Sequence, residues 1–113
     1  MPRQSPAGGV DLTRLLDHGE GLTLEYKRST GELREALQTL CAFLNGSGGT
    51  VLFGVRPDGR AEGQQVSDQT LRDIAQAMDK FEPPVTAPVH RQLIAAGREV
   101  LSLRVEGASD SVP

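Results

Sequence analysis

The sequence holds a single cysteine, Cys41, so no intramolecular disulfide can form. Its two histidines, His18 and His90, stand far apart without cysteine neighbours, which excludes the common zinc-binding spacings. A reducing compartment fits this usage. Tryptophan is missing and aromatics make up 4% of the chain, which disfavours stacking of successive bases along a groove. Charge of either sign is not in large excess: 12 basic against 15 acidic residues give a net charge of -3. That is not the footprint of a bulk phosphate binder, so any nucleic-acid surface has to be a local patch. No positively charged start precedes an apolar segment, and no apolar run approaches the roughly 20 residues a spanning helix needs. The chain is read as cytoplasmic, with no membrane partner.

What is present is enough for one modest core. A 113-residue chain is one domain by length, and a fold of this size buries roughly two-thirds of the surface its unfolded chain exposes. With so few aromatics the core must come from Leu, Val, Ile and Ala. Residues 1–9 predict a disordered tail, 10–106 a folded domain and 107–113 a frayed end. Leu12, Leu15 and Leu16 predict a short helix capped by Asp11 and ended by Gly19. Leu22, Leu24 and Tyr26 alternate with Thr23, Glu25 and Lys27, predicting a strand with one buried face.

Ser29 and Glu32 have capping-box spacing ahead of Leu33, Ala36, Leu37, Leu40, Cys41 and Leu44, which predict an amphipathic helix ended by Asn45-Gly46. On this pattern Cys41 is a small core residue. Thr50 to Val55 reads as a central strand covered on both faces, and Arg56-Pro57-Asp58-Gly59 as a turn. Ser67 or Asp68 caps a helix with apolar face Leu71, Ile74, Ala75 and Met78, and Pro83-Pro84 ends that segment. Val85, Ala87, Val89 and Leu93, then Leu101, Leu103 and Val105, predict an antiparallel hairpin around Ala96-Gly97. Pro88 cannot donate to a ladder and makes the first of these strands an edge or irregular.

Two segments carry candidate chemistry. Glu20 and Glu25 could hold a divalent ion with oxygen ligands. On an unbroken strand rising about 3.3 Å per residue they would lie roughly 16 Å apart on opposite faces, so only a bend at Gly19 and Gly21 would bring them together. The plainer reading makes both solvated acids, with Glu25 paired to Lys27 along one strand face. Lys27, Arg28, Arg34, Arg56 and Arg60 could gather into a phosphate-contacting patch, although Glu32, Glu35, Asp58 and Glu62 interleave with them. Gly46, Gly48 and Gly49 could cradle a phosphate. They lack the lysine of a P-loop and precede a strand, so a turn serving strand packing is the simpler reading. His18 and His90 have no catalytic partner in the sequence.

Glu20 with Glu25-Tyr26-Lys27, then Cys41-Ala42-Phe43-Leu44-Asn45, then Gly48-Gly49-Thr50-Val51-Leu52-Phe53-Gly54-Val55, then Asp58-Gly59 and Gly63, form an ordered set. This set resembles the AlbA-type domain of the Schlafen family, found in bacterial transcriptional regulators and RecG-helicase-like proteins, over roughly Gly19 to Val105. The resemblance implies an α+β fold related to the chromatin protein Alba: a mixed four-stranded sheet in the order β-α-β-α-β-β packed on two helices, with a short N-terminal helix. It implies a DNA-binding domain of a bacterial transcriptional regulator, with DNA as partner, RNA as a second one and no cofactor; the charge pattern makes Lys27, Arg28, Arg56 and Arg60 the residues expected on phosphates.

It also implies an alternative, a Mg- or Mn-dependent endoribonuclease whose three carboxylates would be Glu20, Glu25 and Asp58. The family's third acid falls just after Gly54-Val55, where this chain has Arg56-Pro57, so Asp58 is displaced by about one residue. A third class is a dimerisation module pairing two copies through the hairpin edge. Relatives continue past the last hairpin, so the resemblance further implies a fragment of a longer protein.

Overall fold

The computed structural model describes residues 11–81 and 84–108. The expected N-terminal tail, residues 109–113 of the expected frayed end, and Pro83 lie outside the described residues. The chain forms α1 (Leu12–His18), β1 (Leu24–Lys27), a 3-10 turn (Thr30–Glu32), α2 (Leu33–Asn45), β2 (Gly48–Phe53), α3 (Asp68–Asp79), β3 (Val89–Ala95) and β4 (Arg98–Glu106). The strands make one mixed sheet in the order β1-β2-β4-β3. β1 and β2 are parallel, with Leu24 opposite Thr50 and Lys27 opposite Phe53, and the other pairings are antiparallel. This is the α+β arrangement expected from the sequence.

β2 lies inside the sheet and is covered on both sides, which is why its sequence is almost continuously apolar. Val51 and Phe53 join Leu101, Leu103 and Val105 against Leu37, Leu40 and Phe43 of α2 and Ile74 and Met78 of α3. Leu52 faces the other way with Leu24, Tyr26, Val55 and Val100, where Leu12 of α1 closes a second, smaller core. Burial of these side chains on both faces supplies the main drive for folding, at about 1.5–3 kcal/mol for each fully buried large apolar side chain.

The caps follow local chemistry. Asp11 accepts from the Arg14 N–H at the start of α1. Ser67 and Thr70 make a reciprocal capping box on α3. At α2 the expected box is displaced: Ser29 accepts from the Gly31 N–H, while the Glu32 carboxylate accepts from Arg28 rather than from Ser29. The 3-10 turn lying between Ser29 and the helix moves each bond by one place.

Several expected core positions are corrected. Leu22 is 95% exposed, because the Gly21 N–H donates to the Leu24 carbonyl and leaves Leu22 at the corner of a turn before β1 begins. Cys41 is exposed; Ala36, Leu37, Leu40 and Phe43 make the buried stripe of α2, and Cys41 falls on its flank. Ala75 is exposed beside Ile74 and Met78. Leu93 is 69% exposed near the irregular end of edge strand β3. Val85 and Ala87 are buried in the larger core without belonging to a strand, and β3 begins only after Pro88, which cannot donate to the ladder.

The glycine turn between α2 and β2 has a packing role. The Gly46 N–H donates to the Phe43 carbonyl and closes α2. Gly48 has φ +85°, and a Cβ there would stand 2.7 Å from the Val105 carbonyl and the Gly107 nitrogen. At Gly49 a Cβ would meet the Phe43 ring at 2.7 Å and the Thr23 carbonyl at 2.8 Å. Backbone cannot yield as a flexible side chain can, so Gly49→Ala is expected to destabilise the domain by about 1–3 kcal/mol. Urea unfolding checks this as a lower midpoint at unchanged slope.

Candidate functional site

The chain bends where Gly19 and Gly21 permit it. Gly19, at φ +82°, ends α1 by donating to the Leu15 carbonyl. Glu20 then turns back, and its Oε2 accepts from the Tyr26 N–H at 2.8 Å. The Thr23 and Lys27 carbonyls accept from Thr50 and Gly54 of the β2 segment. The alternate residue Tyr26 therefore sends its N–H away from β2, and the Glu20 carboxylate satisfies that donor. The Tyr26 phenol points into the smaller core, where its Oη is buried with no hydrogen-bond partner. Burial first, and the Glu20 charge second, raise its pKa above the ordinary tyrosine value.

Glu25 and Lys27 share the opposite face of β1, on the α2 side of the sheet, and pair at 3.4 Å. The Lys27 side chain is only 13% exposed, against 32% for Glu25. Lys27 is thus mostly covered and already has a carboxylate beside it.

The arginines gather elsewhere. The Gly54 and Val55 N–H groups both donate to the Lys27 carbonyl, at 2.8 and 3.0 Å, so the chain leaving β2 is tied to the end of β1. Arg28 and Arg56 each follow directly from that junction. A tight loop then closes on itself: Gly59 donates to the Arg56 carbonyl and Arg56 to the Arg60 carbonyl, both at 2.9 Å. Gly54 (φ +101°) and Gly63 (φ +71°) cross at its neck, where a Cβ on Gly54 would sit 2.9 Å from the Gly63 Cα. Inside the loop, Asp58 Oδ1 accepts from the Arg60 N–H at 3.0 Å, and Oδ2 pairs with Arg56 Nη2 at 3.1 Å. Arg56 Nη1 also reaches Glu62 at 3.5 Å. The Asp58 carboxyl is held below the usual carboxylate range by the Arg60 N–H first, then by the charges of Arg56, Arg60 and Arg28. At the C-terminal end of the parallel pair Asp58 is thus held by the Arg60 N–H and the Arg56 guanidinium, with Arg28 and Arg60 near enough for their charges to act on it.

Gln64 fixes the two halves of this cluster, and no sequence signal marked it. Buried, it accepts from the Thr30 N–H at 2.9 Å and donates to Thr30 Oγ1 at 3.0 Å. Its backbone exchanges two 2.8 Å bonds with Glu99 of β4. The end of the Arg56–Arg60 loop is thereby joined to the turn that carries Arg28.

The expected carboxylate triad does not fit a shared metal ion. Among the described residues no group of three or more His, Cys, Asp or Glu side chains is gathered to hold one. Glu20 holds the Tyr26 N–H, Glu25 faces Lys27, and Asp58 is bound by Arg60 and Arg56. At the other end of β1 and β2 the glycine turn borders an open groove of about 740 Å³. Arg14, His18 and Arg104 line it together with Asp11, Asp17 and Glu106, so the groove is not a basic surface. No helix among the described residues is long and apolar enough to cross a membrane.

The comparisons with known proteins bear on the family and the fold. The chain belongs to the Schlafen AlbA_2 family, whose profile matches residues 20–112. Among solved structures it is similar to the solution NMR structure of the N-terminal domain of an ATP-dependent DNA helicase RecG-related protein from Nitrosomonas europaea. The two share 23% identity and superpose with a TM-score of 0.69, over 88% of this chain and 75% of that one. At that identity the likeness establishes the fold, which is Alba-like. No curated protein matches the chain in sequence.

The Asp58 environment has a measurable signature. A carboxyl whose folded pKa is lowered contributes stability above its unfolded pKa, and the contribution is lost as pH falls through the folded value. Carboxyl carbon NMR titration is expected to place the Asp58 midpoint below the ordinary aspartate range. In Arg56→Ala the midpoint moves upward but stays short of the ordinary value, because the Arg60 N–H remains.

Proposed function

We propose that this domain binds nucleic acid through phosphate contacts from Arg28, Arg56 and Arg60, with DNA as the first candidate, as the binding part of a bacterial transcriptional regulator. The observation that carries this reading is the Arg56–Arg60 loop, tied to the end of β1 that carries Arg28, in a chain whose net charge is negative. Arginine matches phosphate oxygens with a fixed fork of donors, and such contacts position a protein on a strand without reading its sequence. Membership of the AlbA_2 family and the fold shared with a domain of a DNA helicase-related protein support the choice of ligand by analogy. The regulator role draws its support from the sequence resemblance alone.

Lys27 has a smaller part in this reading than in the sequence-based one, since it is mostly covered and paired with Glu25. Fluorescence anisotropy with labelled duplex DNA, single-stranded DNA and RNA between about 50 and 200 mM salt tests the proposal. Affinity for duplex DNA should fall with salt at a log-log slope of about -0.9 for each phosphate neutralised. Arg28→Ala and Arg60→Ala should each weaken binding across unrelated sequences and reduce the slope by about 1. A salt-independent affinity, or full binding by the double variant, would overturn it.

A further inference from the structure

We propose that Asp58 is an internal stand-in for a backbone phosphate, occupying the anion position of the arginine cluster until a ligand displaces it. This rests on the reading of Arg28, Arg56 and Arg60 as a phosphate-contacting surface, and adds how that surface is kept in shape when nothing is bound.

The donor set around Asp58 is that of an oxyanion site. One carboxylate oxygen takes a main-chain N–H, that of Arg60, and the other takes a guanidinium, that of Arg56. Main-chain amides in a tight turn combined with arginine are the groups that hold phosphate oxygens in general. The Arg56 guanidinium is held on this carboxylate and on Glu62, which keeps it oriented when no ligand is present, while Arg60 follows in the same loop and Arg28 leaves the adjoining end of β1.

The occupant is also exchangeable. The Asp58 side chain is 55% exposed and its Arg56 partner 35%. Ion pairs this open to water contribute little net stability, so little is lost when they are replaced. A phosphate presents more oxygens and comparable or greater charge to the same donors, and it approaches from the solvent side where the carboxylate is open. Asp58 therefore competes with the ligand. The same residue read as a metal ligand would have the opposite effect on function, because its removal would then abolish activity.

Asp58→Asn separates the charge from the turn. The asparagine oxygen still accepts from the Arg60 N–H, so the loop retains its closing bond while the competing charge disappears. Asp58→Ser, which keeps a side-chain oxygen, is the second variant, and Asp79→Asn at the end of α3 controls for a change of one unit in net charge away from the cluster.

In anisotropy titrations with labelled duplex DNA and RNA, Asp58→Asn is expected to bind about three- to tenfold tighter than the wild type, with Asp79→Asn unchanged and the gain shrinking at high salt. In parallel, inorganic phosphate is titrated while the guanidinium nitrogen resonances of Arg28, Arg56 and Arg60 are followed by NMR. These should shift at lower phosphate concentration in Asp58→Asn and Asp58→Ser than in the wild type.

Equal or weaker nucleic-acid binding by both Asp58 variants, with the wild type binding, overturns the stand-in and leaves the binding reading intact. No nucleic-acid binding by any form, with the phosphate response still enhanced in the variants, overturns the nucleic-acid reading and supports the stand-in as an anion site. No response to either ligand overturns both. Magnesium-dependent cleavage by the wild type that vanishes in Asp58→Asn also overturns the stand-in.

Discussion

Two backbone donors converge on the Lys27 carbonyl, and the shape of the charged end of the domain depends on that junction. Parallel strands carry no turn between them, so the ends of β1 and β2 could diverge once their ladder stops. The Gly54 and Val55 N–H groups extend the ladder by one more step instead, and the positive φ of Gly54 then turns the chain outward. Arg28 and Arg56 leave from adjacent points as a result. The close crossing of Gly54 and Gly63 keeps the excursion short, and Arg98 donates to the Glu62 and Gly63 carbonyls to hold its far side. A surface whose charged groups are long and flexible is thus mounted on a base fixed mostly by main-chain bonds.

The two kinds of ion pair in this region do different things. Glu25 and Lys27 lie along one strand face partly under α2, where desolvation makes an unpaired charge expensive and ties each to the other. Arg56 is partly covered, with its Nε buried, but its terminal nitrogens meet Asp58 and Glu62 at the surface, where exchange of partners is easy. Adjacent residues in the sequence, Lys27 and Arg28, therefore fall into separate classes. Alternation along a strand sends Lys27 toward the helices, whereas Arg28 follows the strand's last paired residue and is free of that constraint.

The elements were legible where periodicity was strong: α1 and its Asp11 cap, α2, β2, α3 and β4 follow from apolar spacing and from glycines at turns. Positions that failed lie at element margins. Leu22 fits the alternation of β1 but precedes its first pairing, and Cys41 fits a three-four spacing that Phe43 satisfies better. The bend at Glu20 was legible as a condition, since two glycines flank it, but its purpose was not. Only the geometry of an edge strand identifies the Tyr26 N–H as a donor in need of an acceptor. Gln64 was invisible for another reason: its partner Thr30 is 34 positions away and no spacing rule reaches that far.

The Glu20 bond to Tyr26 also bears on how copies of this sheet can meet. A four-stranded sheet has two open sides, and here one of them, β1, carries a carboxylate folded across a donor that an incoming strand would need. Growth of the sheet by strand addition is left to β3, which lies at the opposite margin. A strand arriving at the β1 margin would have to displace that carboxylate first, so the bond that satisfies Tyr26 also guards this side of the sheet against edge-to-edge aggregation.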